Sequence, residues 1–141
     1  MAFYKFSVTG ILMYDTYIPD KGFVETFFRI SNRINRKRYI KRMLALMGIT
    51  FILGFLVNFS LLIVGADILA EDTLEGALGL LTLIPSLALM IRRLHDLDRP
   101  AWWVIATFVP LLNLVLWLYL LFARGTYGPN QYGADPIEGC D

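Results

Sequence analysis

The sequence is poor in the residues that build most metal centres and many catalytic ones. It has one cysteine, Cys140, and one histidine, His95, in 141 residues. A single cysteine excludes an intrachain disulfide, and one histidine without a cysteine cluster leaves too few ligands for a zinc or iron–sulfur site. We therefore expect no metal and no cofactor.

Charged residues are also scarce. They make up 18% of the chain, whereas hydrophobic residues make up 57% and the mean hydropathy is +0.57. A soluble domain carries about a quarter charged residues, so this composition excludes a soluble globular enzyme and predicts an integral membrane protein. The net charge of +1 provides no overall field for nucleic acid, which is not expected as a partner.

Three long apolar runs predict an all-α membrane protein with three transmembrane helices. The runs cover about residues 44–66, 74–91 and 101–123. About 20 residues of helix are needed to cross the hydrocarbon core of a bilayer. The middle run is the shortest and contains Pro85, at which we expect a kink.

Aromatic residues mark both ends of the third run, which is expected to form one continuous helix. Trp102 and Trp103 open it, and Trp117 lies towards its other end. Tryptophan rings settle at the depth of the lipid headgroups. We therefore expect these side chains to be anchors at the two opposite interfaces.

The distribution of positive charge predicts the orientation. Nine of the 13 Lys and Arg residues precede residue 44, and three more lie within residues 92–100. Positively charged loops stay in the cytoplasm. The N-terminus is therefore predicted inside the cell, and with three spans the acidic loop 67–73 and the C-terminus are predicted outside, in the periplasm if the cell is bacterial.

An amphipathic segment precedes the first run. Four apolar residues recur there at helical spacing: Phe23, Phe27, Ile30 and Ile34. Basic residues flank them, so the pattern predicts a helix lying in the cytoplasmic headgroup layer. Asn35 is a favourable N-cap residue, and a new helix is expected to begin at Arg36.

The densest polar cluster follows the second run. Residues 92–99 include three arginines, the only histidine and two aspartates. Arginine binds phosphate oxygens and helix-end carbonyls through several N–H groups, so we interpret the cluster as an anchor at the membrane surface. General acid–base chemistry by His95, with Asp96 as its orienting partner, stays open as an alternative.

Two asparagines are the strongly polar residues within the runs. Asn58 and Asn113 both fall on the outer side of their span centres, where they could form an interhelical hydrogen bond. No charged residue lies at the middle of a span, which counts against a coupled transporter. A small channel would need an oligomer that lines its pore with such polar residues.

Three motifs follow one another along the chain. They are Asn32–Arg36 with Tyr39, then Arg92–Asp96 with Arg99 and the Trp102–Trp103 pair, then Gly125, Gly128, Asn130, Tyr132, Gly133, Asp135 and Pro136. Together they resemble the YhaH-like bacterial inner-membrane proteins, the family catalogued as domain of unknown function 805, over about residues 28–136. The resemblance implies the bacterial inner membrane as the location and implies no activity.

This sequence departs from that family's pattern at the first motif. Asn32 stands where the family usually has glycine, and asparagine tolerates the same left-handed backbone conformation nearly as well. The resemblance divides the chain into an N-terminal cytoplasmic extension of residues 1–27, a membrane domain of residues 28–136 and a C-terminal tail of residues 137–141.

The functional expectation is a non-enzymatic membrane protein whose basic cytoplasmic surface contacts anionic lipid headgroups, a membrane protein partner or a second copy of the chain. The expected contacts are Arg33, Arg36, Arg92 and Arg93, with His95 and Asp96 as orienting groups. Since the third motif is predicted on the opposite side of the membrane, the three motifs are not expected to form one site. The alternatives are a subunit of an oligomeric channel or transporter, and a lipid-modifying enzyme.

Overall fold

A computed structural model of the chain describes residues 17–65 and 68–137 and, for residues 68–71, the backbone alone. Residues 1–16 and 138–141 of the predicted extension and tail lie outside the described residues. The described part contains four α-helices and one 3-10 helix: α1 (Gly22–Phe28), α2 (Arg36–Val64), α3 (Ile68–Asp96), the 3-10 helix (Ala101–Phe108) and α4 (Pro110–Phe122).

The start of α2 follows from its N-cap residue. The Asn35 side chain accepts a hydrogen bond from the Arg38 N–H at 2.8 Å, which satisfies one of the free donors of the first helical turn. The helix ends at Gly65, whose φ of 68° places it in the left-handed conformation typical of helix C-termini. The predicted helix start at Arg36 is confirmed.

Two helices are long and apolar enough to cross a membrane by length and composition. They are Arg36–Val64 and Asp72–Asp96. Large apolar side chains on α2 point away from the rest of the protein, and those of Phe51 and Leu62 are 75% and 76% exposed. Such a surface needs an apolar solvent. The all-helical membrane class predicted from composition is confirmed.

The third apolar run does not form one helix. The 3-10 helix and α4 are separated at Val109, whose backbone is extended (φ −108°, ψ 115°). Pro110 causes the break, because proline lacks an N–H and disfavours helical geometry in the residue before it. The two segments are about 16 and 20 Å long, each shorter than the ~30 Å hydrocarbon core. The predicted continuous helix over residues 101–123 is therefore wrong.

The 3-10 helix and α4 fold back on each other as a hairpin. The ring centroid of Trp103, near the start of the hairpin, lies 6.0 Å from that of Tyr119, near its end. The Arg99 guanidinium lies 5.1 Å from the Trp103 ring centroid and donates to the Tyr119 hydroxyl at 3.4 Å. The hairpin therefore starts and ends at the same end of the molecule.

This geometry also corrects the expected positions of the tryptophans. Trp102 and Trp103 precede the bend, and Trp117, two residues before Tyr119, follows it. Because the hairpin returns, the three indoles lie towards one end of the molecule rather than at opposite interfaces. Trp102 is 66% and Trp117 44% exposed, so both remain free to act as anchors.

The amphipathic segment is divided by a turn. Only residues 22–28 are helical, and Asn32 has a φ of 84°. This is the left-handed conformation that asparagine tolerates nearly as well as glycine. Phe27 and Ile34 are buried, whereas Phe23 and Ile30 are exposed. The single stripe predicted over residues 23–34 is therefore not one helix face, because the turn gives its last members a different direction.

The buried core lies at one end of α2 and α3. It combines side chains from α1, the first turns of α2, the last turns of α3 and the second half of α4, together with one residue before α2 and one after α3: Phe27, Ile34, Tyr39, Leu46, Leu89, Met90, Leu94, Leu97, Leu116 and Leu120. Towards the other end, Asn58 of α2 donates to Glu75 of α3 at 3.0 Å. The interhelical bond of Asn58 is thus made with Glu75 and not with Asn113, which is half-buried in the first turn of α4.

Candidate functional site: arginine networks beside a basic cavity

Two buried arginines share one carboxylate at the end of α3. Arg33 Nη2 and Nε lie 3.2 and 3.3 Å from Asp96 Oδ1, and Arg93, one turn earlier on α3, pairs with Asp96 Oδ2. Both arginines are fully buried and Asp96 is 2% exposed. A buried charge is costly unless it is paired and hydrogen-bonded, so each member of this Asp96 network depends on the others.

Arg33 joins the Asp96 network to the residues that follow α4. Its Nη1 donates to the Gly128 carbonyl and its Nη2 to the Thr126 carbonyl, both at 2.6 Å. The Thr126 N–H in turn donates to the Asp96 carbonyl at 2.9 Å. One guanidinium therefore fixes the path of the chain after α4.

Arg93 closes the end of α4. It donates from Nε to the Leu120 carbonyl at 3.0 Å and from Nη2 to the Ala123 carbonyl at 2.6 Å. Such carbonyls lack partners at a helix C-terminus unless a side chain supplies them. The next turn of chain then passes directly over the carboxylate, because a Cβ on Gly125 would lie 2.8 Å from Asp96 Cγ. Only glycine fits there without displacing Asp96.

The three sequence motifs meet in this network. The first supplies Arg33, the second Arg93 and Asp96, and the third Gly128. The expectation that the three motifs do not form one site is therefore wrong. The hairpin of the 3-10 helix and α4 returns the chain to the end of α3 at which it started.

A second network surrounds Asp20. Its carboxylate accepts hydrogen bonds from Arg92 Nη2 and Arg42 Nη1, both at 2.7 Å, and from Arg29 Nη1 at 3.3 Å. The side chains of Asp20 and Arg92 are both 0% exposed. Burial alone would raise the pKa of Asp20, but the hydrogen bonds and charges of Arg92 and Arg42 outweigh it and hold the pKa below its ordinary value of 3.8.

These contacts revise the predicted site residues. Arg33, Arg92 and Arg93 were expected to contact lipid headgroups or a partner, but all three are fully buried and bound to carboxylates and carbonyls of the protein itself. Asp96 is their counter-ion. Sequence reasoning missed Asp20, since no local pattern distinguishes it. The available signal was an excess of arginine over acidic residues in the two basic motifs.

His95 and Asp96 do not form an acid–base pair in the described part of the chain. The His95 ring stacks on Tyr132 with a centroid distance of 4.0 Å and an interplanar angle of 8°. Its Nδ1 is buried without a hydrogen-bond partner there, and both Asp96 oxygens are bound to arginine. Among the same residues, no group of three His, Cys, Asp or Glu side chains could hold a metal ion. The geometry thus gives His95 no orienting carboxylate.

Four exposed cations lie at the start of α2 and directly after α4. Arg36, Lys37 and Lys41 lie on the first turns of α2, and Arg124 follows α4. Among residues 17–65 and 68–137, no hydrogen bond or ion pair engages their side chains. We call these four residues the basic collar. Of the headgroup contacts predicted from sequence, only Arg36 belongs to it.

A cavity of about 630 Å³ opens between the basic collar and the Asp96 network. The first residues of α2, the end of α3 and residues 123–127 form most of its wall. The cationic lining residues outnumber the two carboxylates: Arg36, Lys37, Arg93 and Arg124 against Asp96 and Asp135. We call this space the basic cavity.

A family model described as "Protein of unknown function (DUF805)" matches residues 27–134. The chain belongs to the DUF805 family. The match includes both basic motifs, so Arg33, Arg92, Arg93 and Asp96 lie within the DUF805 region, whereas Asp20 precedes it. The networks therefore join the DUF805 region to a segment in front of it.

Two curated relatives are inner-membrane proteins. The chain is 36% identical to "Inner membrane protein YhaI" of Escherichia coli (strain K12) over 118 residues, which covers 84% of this chain and 94% of that protein. It is 30% identical to "Inner membrane protein YhaH" of the same organism over 113 residues, covering 80% and 91%. No solved structure matches the chain. These relatives support the inner membrane as the location, and their names state no activity.

Proposed function

We propose that this protein is a non-enzymatic protein of the bacterial inner membrane that binds anionic lipid headgroups through the basic collar. The observation that carries the proposal is the set of four exposed cations that no described residue neutralises. Each basic residue at an anionic membrane surface adds on the order of 1 kcal/mol to binding. The networks around Asp20 and Asp96 are the frame that positions the collar.

The collar lies at the depth where headgroups are expected. Arg36 is the first residue of α2, and the exposed apolar surface of that helix begins at Leu44, about 12 Å further along. Arg124 follows Phe122, which is 71% exposed. Cations that directly border a lipid-facing surface are within reach of the phosphate layer.

The position of the cations on α2 also favours an external anion. Positive charge at a helix N-terminus is opposed by the helix dipole. Arg36 and Lys37 occupy the first two positions of α2, whose first turn has no acidic residue. Phosphate groups in the plane of the membrane would compensate for this repulsion.

We further propose that both described ends of the chain face the cytoplasm. The Arg38 guanidinium carbon lies 4.8 Å from the Tyr17 ring centroid, and Arg38 Nη1 donates to the Pro136 carbonyl at 3.2 Å. The described lysines and arginines gather at this end, while Asp72 and Glu75 lie near the other end of α3. The positive-inside rule then places the basic end in the cytoplasm. Two helices would span the bilayer, and the hairpin would enter and leave on the cytoplasmic side.

Lipid selectivity tests the proposed function. Wild-type protein is purified in detergent micelles that contain equal amounts of phosphatidylglycerol and phosphatidylcholine with the same acyl chains. The lipids that stay bound are then counted by native mass spectrometry. We expect enrichment of phosphatidylglycerol, and loss of that enrichment when Arg36, Lys37, Lys41 and Arg124 are all changed to Gln. Lys21→Gln, which removes an exposed cation outside the collar, is the matched control. Equal retention of the two lipids by wild type would contradict the proposal.

A further inference from the structure

An apolar groove lies further along α2 and α3, the two helices whose ends line the basic cavity. We propose that cavity and groove form one site for a single anionic glycerophospholipid, with its phosphate in the cavity and an acyl chain in the groove. This inference rests on the proposed function, because it assigns one specific lipid position within the general preference for anionic headgroups.

The cavity wall contains cationic side chains that its carboxylates do not neutralise and that can bind a phosphate. Both carboxylates in its wall are already used: Asp96 by Arg33 and Arg93, and Asp135 by the backbone N–H groups of Gly128 and Ile137, both at 2.9 Å. The positive charge that remains belongs to Arg36, Lys37 and Arg124. A volume of about 630 Å³ is in the range of sites for small ligands.

The groove between α2 and α3 suits a hydrocarbon chain. Its volume is about 540 Å³, and nine residues line it: Met43, Leu46, Met47, Thr50, Phe51, Gly79, Thr82, Leu83 and Ser86. The three hydroxyl groups among them donate to carbonyls of their own helices at 2.7 to 3.0 Å, so they leave no unpaired donor facing the groove. At Gly79 an added Cβ would meet nothing within 4 Å. The groove is therefore apolar and open at that position.

Helical spacing places the groove in line with the cavity. On α2, Arg36 lines the cavity, and Met43 and Thr50, at successive offsets of seven, line the groove. On α3, Arg93 lines the cavity, and Ser86 and Gly79, at the same offsets, line the groove. Residues seven apart share a helix face. Both openings thus lie along one seam between α2 and α3.

The distances along this seam match a lipid of one leaflet. Seven residues of helix rise about 10 Å and fourteen about 21 Å, so the groove lies roughly 10 to 21 Å beyond Arg36 along α2. One leaflet contributes about 15 Å of hydrocarbon. A phosphate held near Arg36 therefore puts its acyl chain at the depth of the groove. Free inorganic phosphate would occupy the cavity but not the groove.

The experiment uses full-length protein and counts bound lipid by native mass spectrometry after a wash in about 0.5 M NaCl, which screens exposed charge. The probes are dioleoyl phosphatidylglycerol, dioleoyl phosphatidylcholine and inorganic phosphate. We expect wild type to retain one phosphatidylglycerol per chain through the wash. Phosphatidylcholine should not be retained, and phosphate should not displace the bound phosphatidylglycerol at equal concentration.

Paired variants test separately whether the cavity and the groove contribute to lipid retention. Arg124→Gln, in the cavity, and Gly79→Leu, in the groove, should each lower salt-resistant retention about tenfold, the equivalent of one well-placed contact. Lys41→Gln, a collar cation outside the cavity lining, and Gly48→Leu, an exposed glycine of α2 outside the groove lining, should leave it unchanged. Because Arg124 is exposed, its loss should not unfold the protein, and the helical circular dichroism of each variant verifies this.

The outcomes separate the two proposals. Phosphatidylglycerol enrichment at low salt without a salt-resistant lipid would overturn this inference and leave the proposed function standing. Undiminished retention in Gly79→Leu would also overturn it, since the groove would then have no part in binding. Absence of any preference for phosphatidylglycerol at either salt concentration would overturn both.

Discussion

Asp20 and Arg92 are 72 residues apart in the sequence, and their side chains form a 2.7 Å ion pair in which neither is exposed to solvent. The pair joins a segment that precedes the DUF805 match to an arginine within it. Asp20, which precedes the family region, is therefore part of the charge balance of that region.

Loss of the Asp20 carboxylate should destabilise the protein. Asp20→Asn leaves Arg92 and Arg42 without their counter-ion, and breaking a buried ion pair costs about 3 kcal/mol or more. We expect a clearly lower melting temperature, followed by circular dichroism in detergent. Asp98→Asn is the matched control because Asp98 is exposed. Equal melting temperatures of the two variants would show that Asp20 is not required for stability.

The contribution of the Asp20 carboxylate to stability should be lost only at acid pH. The pKa of Asp20 is lowered from 3.8 in the folded state, so its contribution to stability is complete above the unfolded pKa and is lost as the pH falls through the folded one. The difference in melting temperature between wild type and Asp20→Asn should be constant from about pH 7 to 5 and shrink below about pH 4. A difference that shrinks already between pH 7 and 5 would assign the effect to another group.

Substitution of Gly125 should be costly despite its exposed position. In Gly125→Ala the new methyl group overlaps the Asp96 carboxylate, and relief of such overlap costs about 1 to 3 kcal/mol. Gly48→Ala, at a helical position with free space around the Cβ, should instead stabilise the protein by up to about 1 kcal/mol. Thermal unfolding of both variants makes the comparison. An unchanged melting temperature in Gly125→Ala would mean that the chain does not pass over Asp96.

Labelling of single cysteines tests the topology. In a Cys140→Ser background, Lys21→Cys, Asp72→Cys and Ile137→Cys each receive a membrane-impermeant maleimide in intact spheroplasts. We expect labelling of Asp72→Cys alone, and labelling of the other two only after permeabilisation, because Tyr17 and Pro136 contact the same arginine. Labelling of Ile137→Cys in intact spheroplasts would instead support three full spans.

Local features of the fold could be predicted from the sequence, but the reversal of the chain between the 3-10 helix and α4 was not predicted. The capping geometry of Asn35 depends on neighbouring residues alone, and it is confirmed. The third run was judged by length and apolarity, although Pro110 within it carried the signal for a break. Because that break reverses the chain, one missed local feature separated the third motif from the other two, which it contacts in the structure.

The long-range pairings of the candidate site could not be predicted from the sequence. Arginines beside a predicted span were interpreted as headgroup contacts, which holds for exposed side chains such as Arg36. Burial of Arg33 and Arg93 depends on carbonyls that come from Thr126, Gly128 and the end of α4. Those partners lie 27 to 95 residues away. No local pattern encodes such pairings, and only the folded chain brings them together.

The partners of Arg33 also impose an order on biogenesis. Its hydrogen bonds reach as far as Gly133, 100 residues downstream, so in N-to-C-terminal synthesis both candidate spans, with the Asp96 carboxylate, emerge before this guanidinium has its carbonyl acceptors. Contacts of such high sequence separation form late, after the cost of closing a long loop. A nascent chain that stops before Thr126 contains α2, α3 and the Asp96 carboxylate, yet its Arg33 still lacks the carbonyls of Thr126, Gly128 and Gly133. The last residues of the described chain therefore complete this network.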